Sequence, residues 1–597
     1  MKYKFIIIIV SILVLTACEK DLNLFPKTEL STGSFFLKEK DFKLFANQFY
    51  DYLPGFGTCG RDEWSDITFD GSSISNGTYT EPNTSSLYNG CYDRIRKTND
   101  MLEAIEGVED EQLKKSVSVY KGEALFFRAL QYWFLYRDFG GVIIVDKPLG
   151  VEDPLLYGTR NSRKEVVDFI LNDLNEALKT DVGTLSGTKN EGRITREAVL
   201  ALKARVALFE GTWVKYHNTG ADANAYLQQA IDASGAILDG GKFQLFDRRD
   251  VLGEDSYRYF FTLETERKTN PAGLGKEDQN EIILANKYSQ KLRNRGSSWV
   301  VVAWDDLSPT RKMMDMYLDA NGLPITNPNS IFKGYLSEID PVTKRGTNWE
   351  YVDRDPRIRA NHVQPFHQYW YDRPYAKTFE ETAEQLIGTG YFHDGWSISS
   401  LTGYVPYKFC NEIERPIAND YPVFRLAEMM LIFAEASFEK NGSITDAELN
   451  KSINMLRDRV GMPHLTNAFV ATNSLDMKEE IRRERTVELF MEGFRYDDLR
   501  RWKTAEVEMP KAILGMKWGG NMFESKYEVF DLKANKVVEV DNSKIHKYAI
   551  DADGFLIIED ASKRFWESKH YLRPLPLLEL EKNKNLTQNS GWIGSAE

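Results

Sequence analysis

The stretch from Arg482 to Trp502 reads RRERTVELFMEGFRYDDLRRW, and about half of its residues are charged, both signs interleaved. Three chemistries use such residues: paired carboxylates for acid–base work, arginines for nucleic acid, or a charge network that locks a scaffold. Glu484 and Glu488 are four apart, as are Glu488 and Glu492, and Arg485 lies three before Glu488. On a helix these stack along one side, where opposite charges pair. Gly493 interrupts the pattern, and Arg495 and Asp498 then fall on the turn into Asp-Leu-Arg-Arg-Trp. The spacing therefore predicts a structural, register-fixing network of Glu484, Arg485, Glu488, Glu492, Arg495 and Asp498 between the last helices, with no catalytic residue.

Binding chemistry is expected elsewhere. The 597 residues include 34 Phe, 29 Tyr and 12 Trp. A flat ring brings about 150–250 Å² of apolar area with little rotamer entropy, which suits it to contacting a ligand. Rings in polar loop segments are the candidates: Trp64, Tyr79, Trp299, Trp304, Trp370, Tyr371 and Trp396. Each is equally suited to anchoring its own loop on the scaffold. Arg61, Asp62, Asn76 and Arg295 lie in the same segments and suit ligand hydroxyls or plain loop polarity. No metal site and no cofactor is expected. Asp551-Ala552-Asp553-Gly554 holds only a fragment of a calcium loop, which reads better as a turn. His362 and His367, five apart, share no helix face, and no P-loop, G-x-S-x-G or H-E-x-x-H occurs.

The net charge of −13, without a large basic block, argues against nucleic acid. Lys2 and Lys4 precede an apolar run, Phe5 to Ala17, too short for a membrane span of about 20 residues. It fits a secretory signal over residues 1–17. Leu15-Thr16-Ala17-Cys18 resembles a bacterial lipobox, which implies cleavage before Cys18 and lipidation of its thiol. The remaining Cys59, Cys91 and Cys410 make no metal spacing and no disulfide framework.

The elements that must position these residues are mostly helices. Between Glu111 and Asp138 apolar residues from Leu113 to Phe134 recur at steps of three and four, and Gly140-Gly141 stops the pattern. Arg196 to Trp213 forms a second helix, with Thr195 as cap and small Ala198, Ala201, Ala204 and Ala207 for close packing. Leu426, Met430 and Phe433 mark a third, ended by Asn441-Gly442. Thr445 and Glu448 then box a fourth carrying Leu449, Ile453, Leu456 and Val460. Such helix–turn–helix units suit tetratricopeptide-like packing, without a fixed-period repeat. Segments 65–86, 254–306 and 326–404 read as loops with short strands, and hairpins are expected around Ala534-Asn535 and Asp553-Gly554. The fold class is mainly α: a tetratricopeptide-like helix–turn–helix scaffold with long loop and β-hairpin insertions.

Six segments, in chain order, resemble the SusD/RagB family of nutrient-uptake lipoproteins. VYKGEALFFRALQYWFLYRDFGGV is similar to the family's first long helix, and PTRKMMDMYLDANGLPI to its segment ending in Asp/Asn-Gly-x-Pro. DRDPRI resembles its Arg-Asp-Pro-Arg motif, and YPVFRLAEMMLIFAEA its Arg-x-Ala-Glu helix. The Arg482–Trp502 stretch resembles its Glu-Arg…Glu-Gly-x-Arg…Asp-Leu-x-Arg-Trp signature, and YLRPLPLLELEKNKNLTQNSGW its closing pattern. The resemblance implies a signal at 1–17, an N-terminal helical region at 18–250 and a C-terminal region with ligand-binding insertions at 251–597. It implies a non-enzymatic protein of the outer membrane, lipid-anchored and facing the exterior. Such a protein binds oligosaccharide or polysaccharide and passes it to a SusC-like TonB-dependent transporter. It singles out Trp299, in the insertion before Pro309, and puts Tyr88 at a structural ring position. A helical glycoside hydrolase, with two carboxyls flanking a cleft, and a tetratricopeptide scaffold of an envelope assembly complex are the alternatives.

Overall fold

The computed structural model describes residues 35–185, 192–268, 270–294, 307–366, 401–410, 417–531, 536–541 and 548–594. Its frame is a run of helices: α1 (Glu39–Asn47), α2 (Ser86–Glu106), α3 (Glu111–Phe139), α4 (Arg163–Ala177), α5 (Arg196–His217) and α6 (Ala223–Asp239). After a long excursion follow α7 (Leu426–Asn441), α8 (Asp446–Asn450), α9 (Ile453–Val460), α10 (Met477–Glu488) and α11 (Arg495–Arg501). Neighbours in this order pack on one another: α2 on α3, α3 on α4, α4 on α5, α5 on α6, α6 on α7, α7 on α10. The array therefore continues from the N-terminal helices straight into the C-terminal ones.

Local chemistry starts and stops each helix. Asp110 caps α3 by accepting from the Leu113 amide (2.6 Å), and Gly140, at φ +75°, ends it in a conformation open chiefly to glycine. From Val117 onward α3 is buried nearly all round rather than on a single face, because α1, α2 and α4 all pack against it. Thr195 caps α5, and Thr445 with Glu448 forms the capping box of α8. The helix expected from Leu449 to Val460 is broken at Ser452, whose hydroxyl donates back to the Glu448 carbonyl (2.6 Å). All four apolar residues are nonetheless buried.

Strands are short and belong to the insertions. The pair that matters most is β1 (Ile282–Asn286) with β2 (Tyr421–Arg425), antiparallel, aligning Ile282 with Arg425 and Asn286 with Tyr421. It sets Glu281 and Arg425 side by side where β2 runs into α7. Both expected hairpins form. Lys526–Asp531 pairs with Lys536–Asp541, and Ala549–Ile550 with Phe555–Glu559. In the second, Asp551 accepts from the Asp553 and Phe555 amides (3.0 and 2.8 Å), so its carboxylate is spent on the turn. Cys59, Cys91 and Cys410 are all buried, and burial pushes the Cys91 thiol up to about 12.

Candidate functional site

The charged signature lies in the core. Glu488, with no exposed surface, accepts from Arg459 (2.6 Å), Arg425 (2.7 Å) and Arg357 (3.1 Å). Burial alone would raise its carboxyl, but Arg459, Arg425, Arg357 and Lys408 hold it well below the usual carboxylate range. Glu492 binds Arg425 through both oxygens (2.8 and 2.6 Å) and Lys408 (2.8 Å), while Glu484 takes Arg457 (3.0 Å) and Arg357 (2.6 Å). Glu281 and Asp355 join the set, so that among the described residues five cations face five carboxylates. A second group surrounds α11. Arg485 binds Asp498 (2.8 Å), Arg495 holds Asp66 at both ends (2.8 Å each), and Arg501 bridges Asp498 and Glu435.

The pairing within one helix turn expected of Arg485 and Glu488 does not occur. Their partners come from β2, α7, α9, α11 and the loops, because burial makes a fully satisfied long-range contact worth more than an exposed neighbour pair. Arg61 and Asp62, read as candidates for ligand hydroxyls, belong to the same core. Arg61 donates to Asp138 (3.1 Å) and Asp497 (2.7 Å). Asp62 accepts from the Gly493 and Arg495 amides (both 3.2 Å). Gly493 sits at φ +77°, and a Cβ there would lie 2.4 Å from the Thr58 carbonyl oxygen, so only glycine admits this approach.

Of the ring candidates, Trp64 and Tyr79 are described. Trp64 is half-buried, with Arg61 and Arg573 over its ring (4.8 and 5.2 Å to the centroid) and Tyr496 at its edge. Tyr79 accepts from Arg573 (3.3 Å) and packs edge-on against Trp592. Both tie the C-terminal segment to the scaffold, and guanidinium groups occupy the space a sugar would use on Trp64. Asn76 donates to Glu559 (3.3 Å). Tyr88 is buried against Tyr92 and Phe139, a core ring. Cys18, Arg295, Trp299, Trp304, Trp370, Tyr371 and Trp396 lie outside the described residues.

A surface groove of about 630 Å³ runs along β1, lined in part by Arg193, Thr265, Lys276, Glu277, Tyr288 and Asp420. Asp420 braces it, accepting from Lys276 Nζ (2.6 Å) and the Tyr288 amide (2.8 Å). Tyr288 is half-buried, with Arg293 over its ring at 4.9 Å and Phe56 tilted against it at 5.6 Å. Tyr288 precedes Trp299 by eleven residues. It lies within segment 254–306, read from sequence as loop with short strands, but is not among the ring candidates, because only its packing against Phe56 and beside Asp420, both far off in the chain, sets it in the groove. Among the described residues no group of His, Cys, Asp and Glu could hold a metal ion, and no helix is long and apolar enough to cross a membrane.

A mainly helical array whose chemistry-bearing core is salt-bridged shut, with aromatic-bearing insertions on it, defines a scaffold that presents a surface. The pattern of the SusD family matches residues 272–592, and one described as starch-binding and associating with the outer membrane matches residues 58–208. The chain belongs to the SusD family. A SusD-like protein of Bacteroides ovatus is 22% identical over 574 residues, covering 94% of this chain and 91% of that protein. SusD-like protein P38 of Formosa agariphila is 24% identical over 534 residues, covering 85% and 93%. A solved SusD-like protein of Bacteroides fragilis shares the fold with a TM-score of 0.68 at 23% identity, over 94% of this chain and 98% of that one. A solved laminarin-binding SusD-like protein does so at 0.54 and 18%, over 93% and 100%.

Proposed function

We propose that this protein is a cell-surface glycan-binding lipoprotein of the outer membrane. It is anchored through Cys18, captures oligosaccharides on its aromatic insertions, and delivers them to a SusC-like TonB-dependent transporter. The carrying observation is the family pattern over 272–592, with a second, starch-binding and outer-membrane-associated pattern over 58–208. The laminarin-binding relative and a solved relative described as carbohydrate-binding support a glycan as the ligand class. The groove at Tyr288 supplies hydroxyl-sized donors and acceptors beside a ring that carries one guanidinium, Arg293, against the two on Trp64. Its charges are largely paired, Lys276 with Asp420 (2.6 Å) and Lys268 with Glu277 (3.5 Å), which suits a neutral sugar better than a polyanion. Trp299 and Trp304, with Trp370, Tyr371 and Trp396, provide the further stacking rings. A hydrolase reading draws no support from the signature carboxylates, since Glu484, Glu488, Glu492 and Asp498 are each held by arginine or lysine in the core. Calorimetric titration of the folded lipid-free protein against neutral β- and α-glucans tests the glycan claim. Pull-down of the lipidated protein from outer membranes tests the transporter claim. Binding to no glycan rejects the first, and recovery of an assembly complex in place of a transporter rejects the second.

A further inference from the structure

Beneath α11 lies a cavity of about 50 Å³, lined among others by Trp133, Arg137, Arg485, Phe494, Asp497 and Asp498. The charges around it do not balance. Asp497, Asp498 and Glu492 are the lining carboxylates; Asp497 and the neighbouring Asp138, which does not line the cavity, are shared by Arg61, Arg137 and Arg500, with Arg573 also on Asp138. Asp498 serves both Arg485 and Arg501. Arg501 and Arg205, which also line the cavity, pair with Glu435 and Glu428, and Glu435 lies in addition 3.9 Å from Arg485 Nε. Glu492 on the wall is taken up by Arg425 and Lys408. Setting the Arg501–Glu435 and Arg205–Glu428 pairs aside leaves, among the described residues, five guanidinium groups, Arg61, Arg137, Arg485, Arg500 and Arg573, against the three carboxylates of Asp138, Asp497 and Asp498.

Two of the five point to where the deficit is met. Arg485 is 3% exposed, spends Nε on Asp498 (2.8 Å), and its buried Nη1 has no hydrogen-bond partner among the described residues. Arg137 spends Nε on Asp138 (3.3 Å). Burial, compounded by the Arg61 charge, pushes its guanidinium below the ordinary value, as expected of a cation short of counter-charge. A buried N–H without a partner is costly, and more so when the group is charged.

We infer that the cavity binds a small monovalent anion, chloride in the cell's surroundings, held by the Arg485 and Arg137 guanidinium groups. A water-sized occupant needs about 10–15 Å³ of such space, so the cavity takes a halide with a water beside it but no sulfate or carboxylate-bearing residue. The anion offsets the cationic excess under α11 and stabilises the junction between the signature segment and α3 and α5.

Crystals of the wild-type protein soaked in sodium bromide decide the question. The expected result is an anomalous peak in the cavity within hydrogen-bond distance of Arg485 Nη1. In parallel, melting is followed from about 10 mM to about 1 M chloride against gluconate at matched ionic strength, with Arg137→Gln as the variant. Binding to the folded state alone raises stability by RT ln(1 + [L]/Kd), so wild type should gain with chloride over gluconate and Arg137→Gln should lose that gain. If Arg137→Gln does not fold, the wild-type map and melting series stand alone. Water without bromide in the cavity, or coincident chloride and gluconate curves for wild type, overturns the proposal.

Discussion

Arg495→Ala probes whether the charged signature is scaffold or binding surface. Arg495 is 7% exposed, holds Asp66 (4% exposed) through two 2.8 Å hydrogen bonds, and donates to Thr486 Oγ1 at 3.1 Å. Truncation strands a buried carboxylate, which costs about 3–5 kcal/mol. An unfolding entropy of about 2.1 cal/mol/K per residue turns that into a fall of about 2–4 °C in melting temperature for a chain of this length. The pH dependence has a definite sign. Burial would raise the Asp66 carboxyl, but Arg495 lowers it below its unfolded value of 3.8. Its contribution is therefore present above the unfolded value and lost as pH falls through the lower folded one. The gap between wild type and Arg495→Ala should narrow in acid, and Asp66→Ala in the same chain should recover part of the loss. Scanning calorimetry measures the melting shift, and titration with glycan measures the affinity of the folded fraction, which should be unchanged. Lost affinity at unchanged melting temperature would refute the scaffold assignment.

Other perturbations separate the core from the groove. Burial raises the Asp62 carboxyl from 3.8 to about 7, so the folded state binds more protons over that interval and stability falls as pH rises through it. Asp62→Asn should flatten this slope in melting curves taken from acid to neutral pH; an unchanged slope would contradict it. Gly493→Ala must relieve both the left-handed φ and the approach to Thr58, and should cost at least about 1–3 kcal/mol in denaturant titrations. Wild-type stability in that variant would show that the signature glycine has another purpose. Tyr288→Ala should weaken glycan binding by about 1–2 kcal/mol, roughly 5–30-fold, while lowering the melting temperature less than Arg495→Ala does. Equal affinity would remove Tyr288 from the site.

The helical frame was legible because each helix carries its own signals: the apolar steps of α3, the Thr445–Glu448 box, the stop at Gly140. Where tertiary packing competes with local pattern, the sequence misleads. Ser452 breaks a helix whose apolar spacing runs on undisturbed. The network residues announce themselves by type, yet their partners do not, since Asp62 meets Gly493 across 431 positions and Arg425 meets Glu488 across 63. Composition made the loop around Trp64 look like a ligand loop, whereas Arg573, far along the chain, stacks on that ring. Tyr288 had no local mark; only the fold along β1 places it in a groove.

The central claim, glycan capture on the aromatic insertions by a structurally locked scaffold, is tested most directly by isothermal titration of one glycan panel against three proteins. These are wild type, Trp299→Ala and Arg495→Ala. The account predicts saturable binding of at least one neutral oligosaccharide by wild type and folded Arg495→Ala, and at least a several-fold loss in Trp299→Ala at unchanged melting temperature. Binding to no glycan by folded wild type, or loss in Arg495→Ala with Trp299→Ala unaffected, would contradict it.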